Sequence, residues 1–418
     1  MRAPASRLPA ALFVCAALAG CGKSSPSPSS DSGAPLAPVS TAGAGGLATK
    51  NTTRLGGADP VIDAAAVARA VYPGLTAGSR PQAVVLVSNR DWTAALLASM
   101  LASAPLGAPL LYSEGSTLPG VSSQALTAMQ PTGDREAGGA QVIRIGAPAA
   151  LPAAPAGYRT TTLRASEPAA LAATVARFAG RAHGVAPGQV IVLAEDAPRA
   201  LAMPAAGLSA ESGAPILLVG PTSVPAATSS ALAGLHGPTI YVVGPSVLHR
   251  RVFAELARFG TVRRIGGRSE EAARAGGDAI ENAIAVARFA DGSFGWGIHE
   301  PGHGLVFVNP SRPLDAPAAA PLSASGDFGP LLLLAASSSP TRGSSAGTSI
   351  PSELTAYLSN IKPAYSSQVP PVRSVYNHGW LIGDEQAISA VTQAEIDSLL
   401  ETTPSATATE EPSLPLAE

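Results

Sequence analysis

The residues best suited to carry chemistry in this 418-residue chain form one short segment, His299-Glu300-Pro301-Gly302-His303. Its letters match the pattern H-E-x-x-H, in which two histidines one helical turn apart bind zinc and the glutamate acts as a general base. That geometry requires a helix, and Pro301 and Gly302 are helix-breaking residues. We therefore expect a loop here and no catalytic zinc site, while a hydrolase that uses this part of the chain stays an alternative.

Aspartates recur just after apolar runs that are typical of strands, at Asp91, Asp196 and Asp315. Ligands of open α/β sheets bind at the carboxyl ends of the strands, where these residues are expected to lie. An aspartate at this position is equally suited to cap the next helix, and for the aspartates themselves capping is the favoured interpretation. The candidate ligand-binding residues at this edge are Asn89, Arg90, Asp91 and Asp196.

Other signatures of catalysis or cofactor binding are weak. Gly56-Gly57 and Gly266-Gly267 precede predicted helices without the spacing of a nucleotide-binding loop, so we expect no cofactor. The cysteines are Cys15 and Cys21 alone, which excludes a disulfide or a thiolate metal site in the folded part, so no metal is expected. A formal net charge of −2 and 4% aromatic residues disfavour nucleic acid as a partner.

The elements that must position these residues recur three times along the chain. Each copy has a short strand, a turn of small residues, a helix, a buried-type strand, an Ala-rich helix and a further strand. The distance from the middle of the buried-type strand to a proline before the next strand is 23, 23 and 24 residues. These distances run from Leu86 to Pro109, from Val192 to Pro215 and from Val306 to Pro330.

Continuous apolar runs that alternate with helices predict parallel sheets built from right-handed βαβ crossovers. The predicted fold class is therefore α/β, with three tandem Rossmann- or flavodoxin-like parallel-sheet repeats. The predicted boundaries are 50–155 for repeat 1, 156–258 for repeat 2, 259–401 for repeat 3 with insertions, and 402–418 for a disordered tail.

The N-terminus has the pattern of a secretory leader. Arg2 and Arg7 precede the apolar run Leu8 to Ala19, which is too short to span a bilayer. The sequence Leu18-Ala19-Gly20-Cys21 resembles the bacterial lipobox, and that resemblance implies lipid attachment at Cys21 after removal of residues 1–20. Residues 21–49 are rich in Ser, Pro, Gly and Ala and are expected to form a flexible tether.

The repeats resemble the cell wall binding repeat 2 family of Gram-positive surface proteins. The resemblance lies in the order of motifs, which is R-[IL]-G-G-x-D, an apolar strand, a D-x-x-A-A-L helix, a G-A-P-[LI]-L-L strand and a closing [VI]-x-[VI]-G. The resemblance covers roughly Lys50 to Glu401 and implies three modules packed as a triangular pseudo-trimer within one monomer. It also implies non-covalent binding of anionic cell wall polymer or a peptidoglycan-associated glycan. Repeat 2 departs from the pattern with Arg164-Ala165 in place of Gly-Gly, and repeat 3 has Ser269 at the Asp position.

The sequence thus predicts a non-enzymatic lipoprotein on the extracytoplasmic face of the cell membrane that binds the cell wall. A solute-binding lipoprotein and an envelope hydrolase are the alternatives. Repeat 3 carries long irregular additions that hold aromatic groups scarce elsewhere, and long loops on a rigid scaffold often bind ligands. Trp296 and Tyr376 are therefore added to the candidate ligand-binding residues.

Overall fold

The computed structural model describes residues 48–182, 188–266, 278–325, 328–336, 348–365 and 376–404. The expected leader, Cys21, most of the tether and most of the tail lie outside these residues. The elements in chain order are β1 (Thr52–Leu55), α1 (Pro60–Val71), β2 (Val84–Ser88), α2 (Trp92–Ala98), β3 (Leu110–Ser113), α3 (Gly120–Met129), β4 (Val142–Gly146), β5 (Thr160–Arg164), α4 (Pro168–Ala182), β6 (Gln189–Ala194), α5 (Arg199–Ser212), β7 (Ile216–Val219), α6 (Ala226–Ala233), β8 (Thr239–Val243), α7 (Arg250–Leu256), β9 (Thr261–Ile265), α8 (Ala279–Arg288), β10 (Gly304–Val308), α9 (Asp315–Ala324), β11 (Leu331–Leu333), β12 (Ala335–Ala336), β13 (Thr348–Ser349), α10 (Ser352–Asn360), β14 (Ala364–Tyr365), β15 (His378–Ile382), α11 (Ala390–Leu400) and β16 (Thr403–Pro404).

Three four-stranded parallel sheets organise these elements, which confirms the predicted fold class. Sheet 1 has the strand order β3-β2-β4-β5, sheet 2 has β7-β6-β8-β9, and sheet 3 has β11-β10-β15-β1. The second strand of each order is the apolar run identified in the sequence, and in sheet 1 the residues from Val84 to Val87 are fully buried. Burial on both faces explains why these strands show no polar alternation.

Each sheet takes its last strand from the next sequence repeat. Strand β5 opens repeat 2 but pairs with β4 of repeat 1, and β9 opens repeat 3 but pairs with β8 of repeat 2. Strand β1 closes the series by pairing with β15, with Thr52 opposite Gly379 and Leu55 opposite Ile382. The sheets are therefore displaced by one strand from the sequence repeats, and the three repeats are hydrogen-bonded into a ring.

The interior of the ring is formed by the second helix of each repeat. A short 3₁₀ turn, Ser99–Ala102, continues α2 and contacts both α5 and α9, which also pack on each other. Ala102, Ala210 and Ala320, one from each repeat, form a single buried cluster. Small side chains let the three elements approach closely.

Repeat 3 carries the additional elements expected from its length. Strands β12 and β13 form an antiparallel pair, and α10 follows them. Strand β16 pairs with β14, so the described chain extends to Pro404, three residues into the segment 402–418 that was predicted to be a disordered tail. Within the described residues, no helix combines the length and the apolar character needed to cross a membrane.

Candidate binding site

The carboxyl ends of the central strands are the edge of each sheet at which ligands of open α/β sheets are expected to bind. Strand β2 lies between β3 and β4, β6 between β7 and β8, and β10 between β11 and β15. The chain leaves such a central strand and its neighbour in opposite directions, which opens a crevice where ligands of this fold class bind. The segments that follow β2 and β6 contain the predicted site residues of repeats 1 and 2. The segment that follows β10 in repeat 3 contains Arg312.

In sheet 1 the predicted residues have three different environments. Asp91 Oδ1 accepts a hydrogen bond from Ala94 N at 2.9 Å and caps α2, and its Oδ2 lies 3.4 Å from Ala147 N at the end of β4. Arg90 is exposed, whereas the side-chain Oδ1 of Asn89 is buried and has no hydrogen-bond partner in the part of the chain that the structure describes. Asp91 therefore bridges the two sides of this crevice, and Arg90 is the group of this trio most open to solvent.

In sheet 2 the predicted residue Asp196 is exposed in the turn after β6. Helix α5 begins later, with Pro198 at its N-cap position, so Asp196 does not cap it. The three aspartates that look equivalent in sequence thus differ, since Asp91 is a cap, Asp196 is exposed and Asp315 is buried in the first turn of α9.

In sheet 3 the crevice is filled by an ionic cluster, which we call the Arg312 cluster and which comprises Asp63, Arg312, Asp315 and Asp384. Arg312 Nε donates to Asp315 Oδ2 at 2.8 Å, and its Nη2 is paired with Asp63. Its Nη1 lies 3.9 Å from Asp384 Oδ1. Asp63 belongs to α1 and the other three residues belong to repeat 3, so the cluster joins the two ends of the ring.

Two of these carboxyl groups are fully buried, which alters their protonation. Burial raises the pKa of Asp63 to about 6, although the guanidinium of Arg312 opposes the change. Burial, together with the charge of Asp63, raises the pKa of Asp315 well above its ordinary value. Among the described residues, no group donates a hydrogen bond to Asp315 Oδ1. If Asp315 holds a proton, the buried site contains one anion, Asp63, and one cation, Arg312. The carboxylate of Asp63 also accepts a hydrogen bond from Gly57 N at 2.7 Å.

The backbone at Gly56 closely approaches the carboxylate of Asp63. Gly56 has a φ of +114°, and a Cβ built there would lie 2.0 Å from Asp63 Oδ1. The two glycines before α1 therefore serve a close approach between backbone and carboxylate, which is the structural role preferred over anion binding. We interpret the Arg312 cluster as a structural contact.

The His299 segment is irregular, as the sequence predicted. It lies between α8 and β10, and its backbone is held by Asn377, whose Oδ1 accepts from Gly302 N at 2.8 Å and from His303 N at 3.1 Å. Among the described residues, no three His, Cys, Asp or Glu side chains are placed to hold a metal ion.

The aromatic candidates of repeat 3 differ in exposure. Trp296 is half-buried, and its Nε1 donates to Phe328 O at 2.7 Å. Its ring packs against the hydrophobic core, so it contributes to packing. Tyr376 is 64% exposed and available to solvent.

A cleft that sequence reasoning missed lies between helices α8 and α10, next to the end of strand β9. Its volume is about 920 Å³. Arg264 and His299 line it together with one face of each helix. The available sequence signal was a pair of polar residues at positions i and i+7 of each helix, Glu281 and Arg288 in one and Glu353 and Asn360 in the other. That spacing alone indicates only a solvated face.

Comparisons with known proteins identify a similar fold. No model of a known protein family matches the sequence, and no curated protein matches it. Among solved structures, Cwp6 from Clostridium difficile is similar over 84% of this chain and 48% of its own length, with 17% identity and a TM-score of 0.59. Cwp8 from Clostridium difficile is similar over 84% of this chain and 52% of its own length, with 15% identity and a TM-score of 0.58.

The present chain therefore spans about half the length of each of these two proteins. At this level of identity the likeness concerns the fold.

Proposed function

We propose that this protein is a non-enzymatic cell-envelope lipoprotein that binds a cell wall polymer through its three α/β repeats. The observation that carries the proposal is the arrangement of three sheets, which is similar over 84% of the chain to that of the cell wall proteins Cwp6 and Cwp8. The motif order in the sequence independently resembles a wall-binding repeat family. A shared architecture and a shared motif order support a role at the cell wall.

The N-terminus supplies the other half of the proposal. A diacylated Cys21 would hold the chain on the extracytoplasmic face of the membrane, since two acyl chains suffice for stable anchoring. The three repeats would then be held near the membrane, within reach of wall polymers.

The polar groups of the described residues are consistent with binding more than with catalysis. The most perturbed carboxyl groups, Asp63 and Asp315, are paired with Arg312 and fully buried, so a substrate would not reach them. Asp91 is engaged as a helix cap. The exposed polar groups at the sheet edges, such as Arg90 and Asp196, are suited to contacts with an extended polymer.

A solute-binding lipoprotein is the second candidate, and the cleft of about 920 Å³ between α8 and α10 favours it. Such a volume is within the range of pockets that enclose a small molecule. Retention of the protein by intact cell wall is expected for a wall-binding protein and not for a solute-binding protein.

The test is co-sedimentation of the purified full chain with cell walls in detergent solution. One wall sample is intact, and its matched control has been treated with hydrofluoric acid to remove the secondary polymers. We expect the protein to pellet with the intact wall and to stay in the supernatant with the treated wall. Equal recovery in the supernatant of both samples would rule out wall binding.

A further inference from the structure

Two helix faces form opposite walls of the cleft between α8 and α10. Both faces use positions i, i+3, i+4 and i+7, which lie on one side of a helix. In α8 these positions are Glu281, Ile284, Ala285 and Arg288. In α10 they are Glu353, Ala356, Tyr357 and Asn360. In the middle of the two faces Ala285 and Ala356 leave room between the helices, and Ile284 and Tyr357 supply apolar lining. Charged or amide groups lie at the ends of each face.

The guanidinium groups of Arg264 and Arg288 are held on aromatic rings. Arg264 lies 3.9 Å above the ring of Phe253, and Arg288 lies 4.8 Å from the centre of the ring of Tyr357. Stacking restrains the plane of a guanidinium but leaves its N–H groups free at the edge. Within the described residues, neither arginine forms an ion pair or a side-chain hydrogen bond. A guanidinium held in this way can receive a carboxylate or a phosphate in bidentate geometry.

The floor and one side of the cleft are rigid. Tyr357 is buried, and its hydroxyl donates to Ile298 O at 3.3 Å. The backbone after α8 folds back on the helix, with Gly297 N donating to Phe289 O at 2.9 Å and Ile298 N donating to Ala287 O at 3.0 Å. These bonds hold His299 at the side of the cleft. A preformed site of this kind loses little entropy when a ligand binds.

The remaining polar groups suit hydroxyl-rich ligands. Glu281 and Glu353 accept hydrogen bonds, Asn360 both donates and accepts, and none of the three bonds to another lining residue. A purely anionic ligand would be repelled by two carboxylates. A ligand with one acidic group and several hydroxyls matches both the arginines and the acceptors.

We infer that this cleft binds an acidic saccharide, with Arg264 and Arg288 contacting its carboxylate or phosphate and Glu281, Glu353 and Asn360 contacting its hydroxyls. A cleft of about 920 Å³ accommodates a saccharide of about two or three rings. The inference rests on the proposed wall binding for its biological meaning and assigns to one cleft the recognition of an acidic sugar unit within the polymer.

The test is isothermal titration of the purified full chain with four probes. Trigalacturonate carries carboxylate groups, glucose 1-phosphate carries a phosphate, maltotriose is the neutral control, and inorganic phosphate tests for an adventitious ion only. The variants are Arg264→Gln and Arg288→Gln. Arg69→Gln, an exposed residue of α1, is the matched control for loss of one positive charge.

We expect one of the two acidic sugars to bind with one-to-one stoichiometry and at least tenfold more tightly than maltotriose. Either cleft variant should weaken that binding tenfold or more, because each removes a charged hydrogen-bond donor, and Arg69→Gln should leave it unchanged. The inference is overturned if neither acidic sugar binds, if inorganic phosphate binds as tightly, or if the cleft variants bind like the wild type. Circular dichroism establishes that the variants are folded.

The same variants in the wall co-sedimentation assay separate this inference from the proposed function. Wild-type protein that pellets with the wall, together with cleft variants that pellet equally well, would leave wall binding intact and remove the cleft as its site. Wild-type protein that fails to pellet would contradict the proposed function, whatever the titrations show.

Discussion

Arg312 in repeat 3 is ion-paired with Asp63 on helix α1, although the two residues are 249 positions apart. The pair lies where β1 joins sheet 3, so it strengthens the contact that closes the ring of three repeats. Backbone bonds support the same junction, since Gly383 N donates to Leu55 O at 2.8 Å and Asp384 N donates to Gly57 O at 3.0 Å. Side-chain and backbone contacts thus connect strand β1 and the turn after it to repeat 3.

Replacing Arg312 should destabilise the fold strongly. Arg312→Gln leaves two buried carboxyl groups without their cation, and breaking a buried pair in this way costs about 3–5 kcal/mol. Urea denaturation followed by circular dichroism measures the change. The control is Arg251→Gln, which removes an ion pair to Glu255 from a side chain that is 71% exposed and should cost no more than about 0.5 kcal/mol. Similar effects of the two substitutions would contradict the structural role of the Arg312 cluster.

The stability of the protein should fall as the pH rises from about 4 to above 6. The pKa of Asp63 is raised in the folded state to about 6 from an ordinary value of 3.8, and that of Asp315 is raised as well. The folded protein therefore holds protons that the unfolded chain releases. This contribution is fully present below the unfolded pKa and is lost as the pH rises through the folded pKa, which amounts to roughly 3 kcal/mol for Asp63. Thermal unfolding at a series of pH values measures it.

Asp315→Asn is the matched variant for that pH dependence. The amide has the shape of a protonated carboxyl group and can donate to Asp63, so the variant should stay folded. It should unfold with a markedly weaker dependence on pH between 4 and 7 than the wild type, because one of the two coupled protons has been removed. An unchanged pH profile would show that other groups dominate the linkage.

The two sheet-edge aspartates should respond differently to substitution. Asp91→Ala removes the N-cap of α2 and should cost about 1 kcal/mol, whereas Asp196→Ala, at an exposed turn, should change the free energy of unfolding little. Denaturant titration measures both variants. If wall binding falls in Asp196→Ala while its stability is unchanged, this edge of sheet 2 contacts the polymer.

The three-alanine cluster should tolerate no larger side chain. Ala320→Leu inserts three carbon atoms where helices of three repeats meet and should cost about 1–3 kcal/mol through overpacking. Ala70→Leu, on the exposed side of α1, is the control and should have little effect. Equal stability of both variants in thermal unfolding would mean that the three repeats do not pack closely at this point.

Substitution of each of the two cysteines tests the proposed N-terminal anchor. Cys21→Ala should abolish lipid labelling and move the protein from the membrane fraction to the soluble fraction, while Cys15→Ala, within the apolar run of the leader, should change neither. Labelling with radioactive palmitate followed by fractionation measures both properties. Retention of Cys21→Ala in the membrane would contradict the lipobox interpretation.

The amino-acid sequence by itself determined the number of repeats, their α/β class and the parallel direction of the strands. These properties follow from local patterns, such as the buried run from Val84 to Val87 and the constant distance between it and Pro109, because burial on both faces permits few polar residues. The irregular backbone at His299 was also predictable, since Pro301 and Gly302 act within the segment itself.

Only the tertiary structure decided which strands share a sheet and which polar groups meet. Strands β1, β5 and β9 have the same local pattern whichever sheet they join, because a parallel edge presents the same backbone donors and acceptors to any strand. Asp63 and Arg312 meet only because β1 joins β15, and the cleft between α8 and α10 exists only because an insertion of repeat 3 lies beside α8. Contacts between residues far apart in sequence depend on how the repeats pack, and the period of a repeat carries no information about that packing.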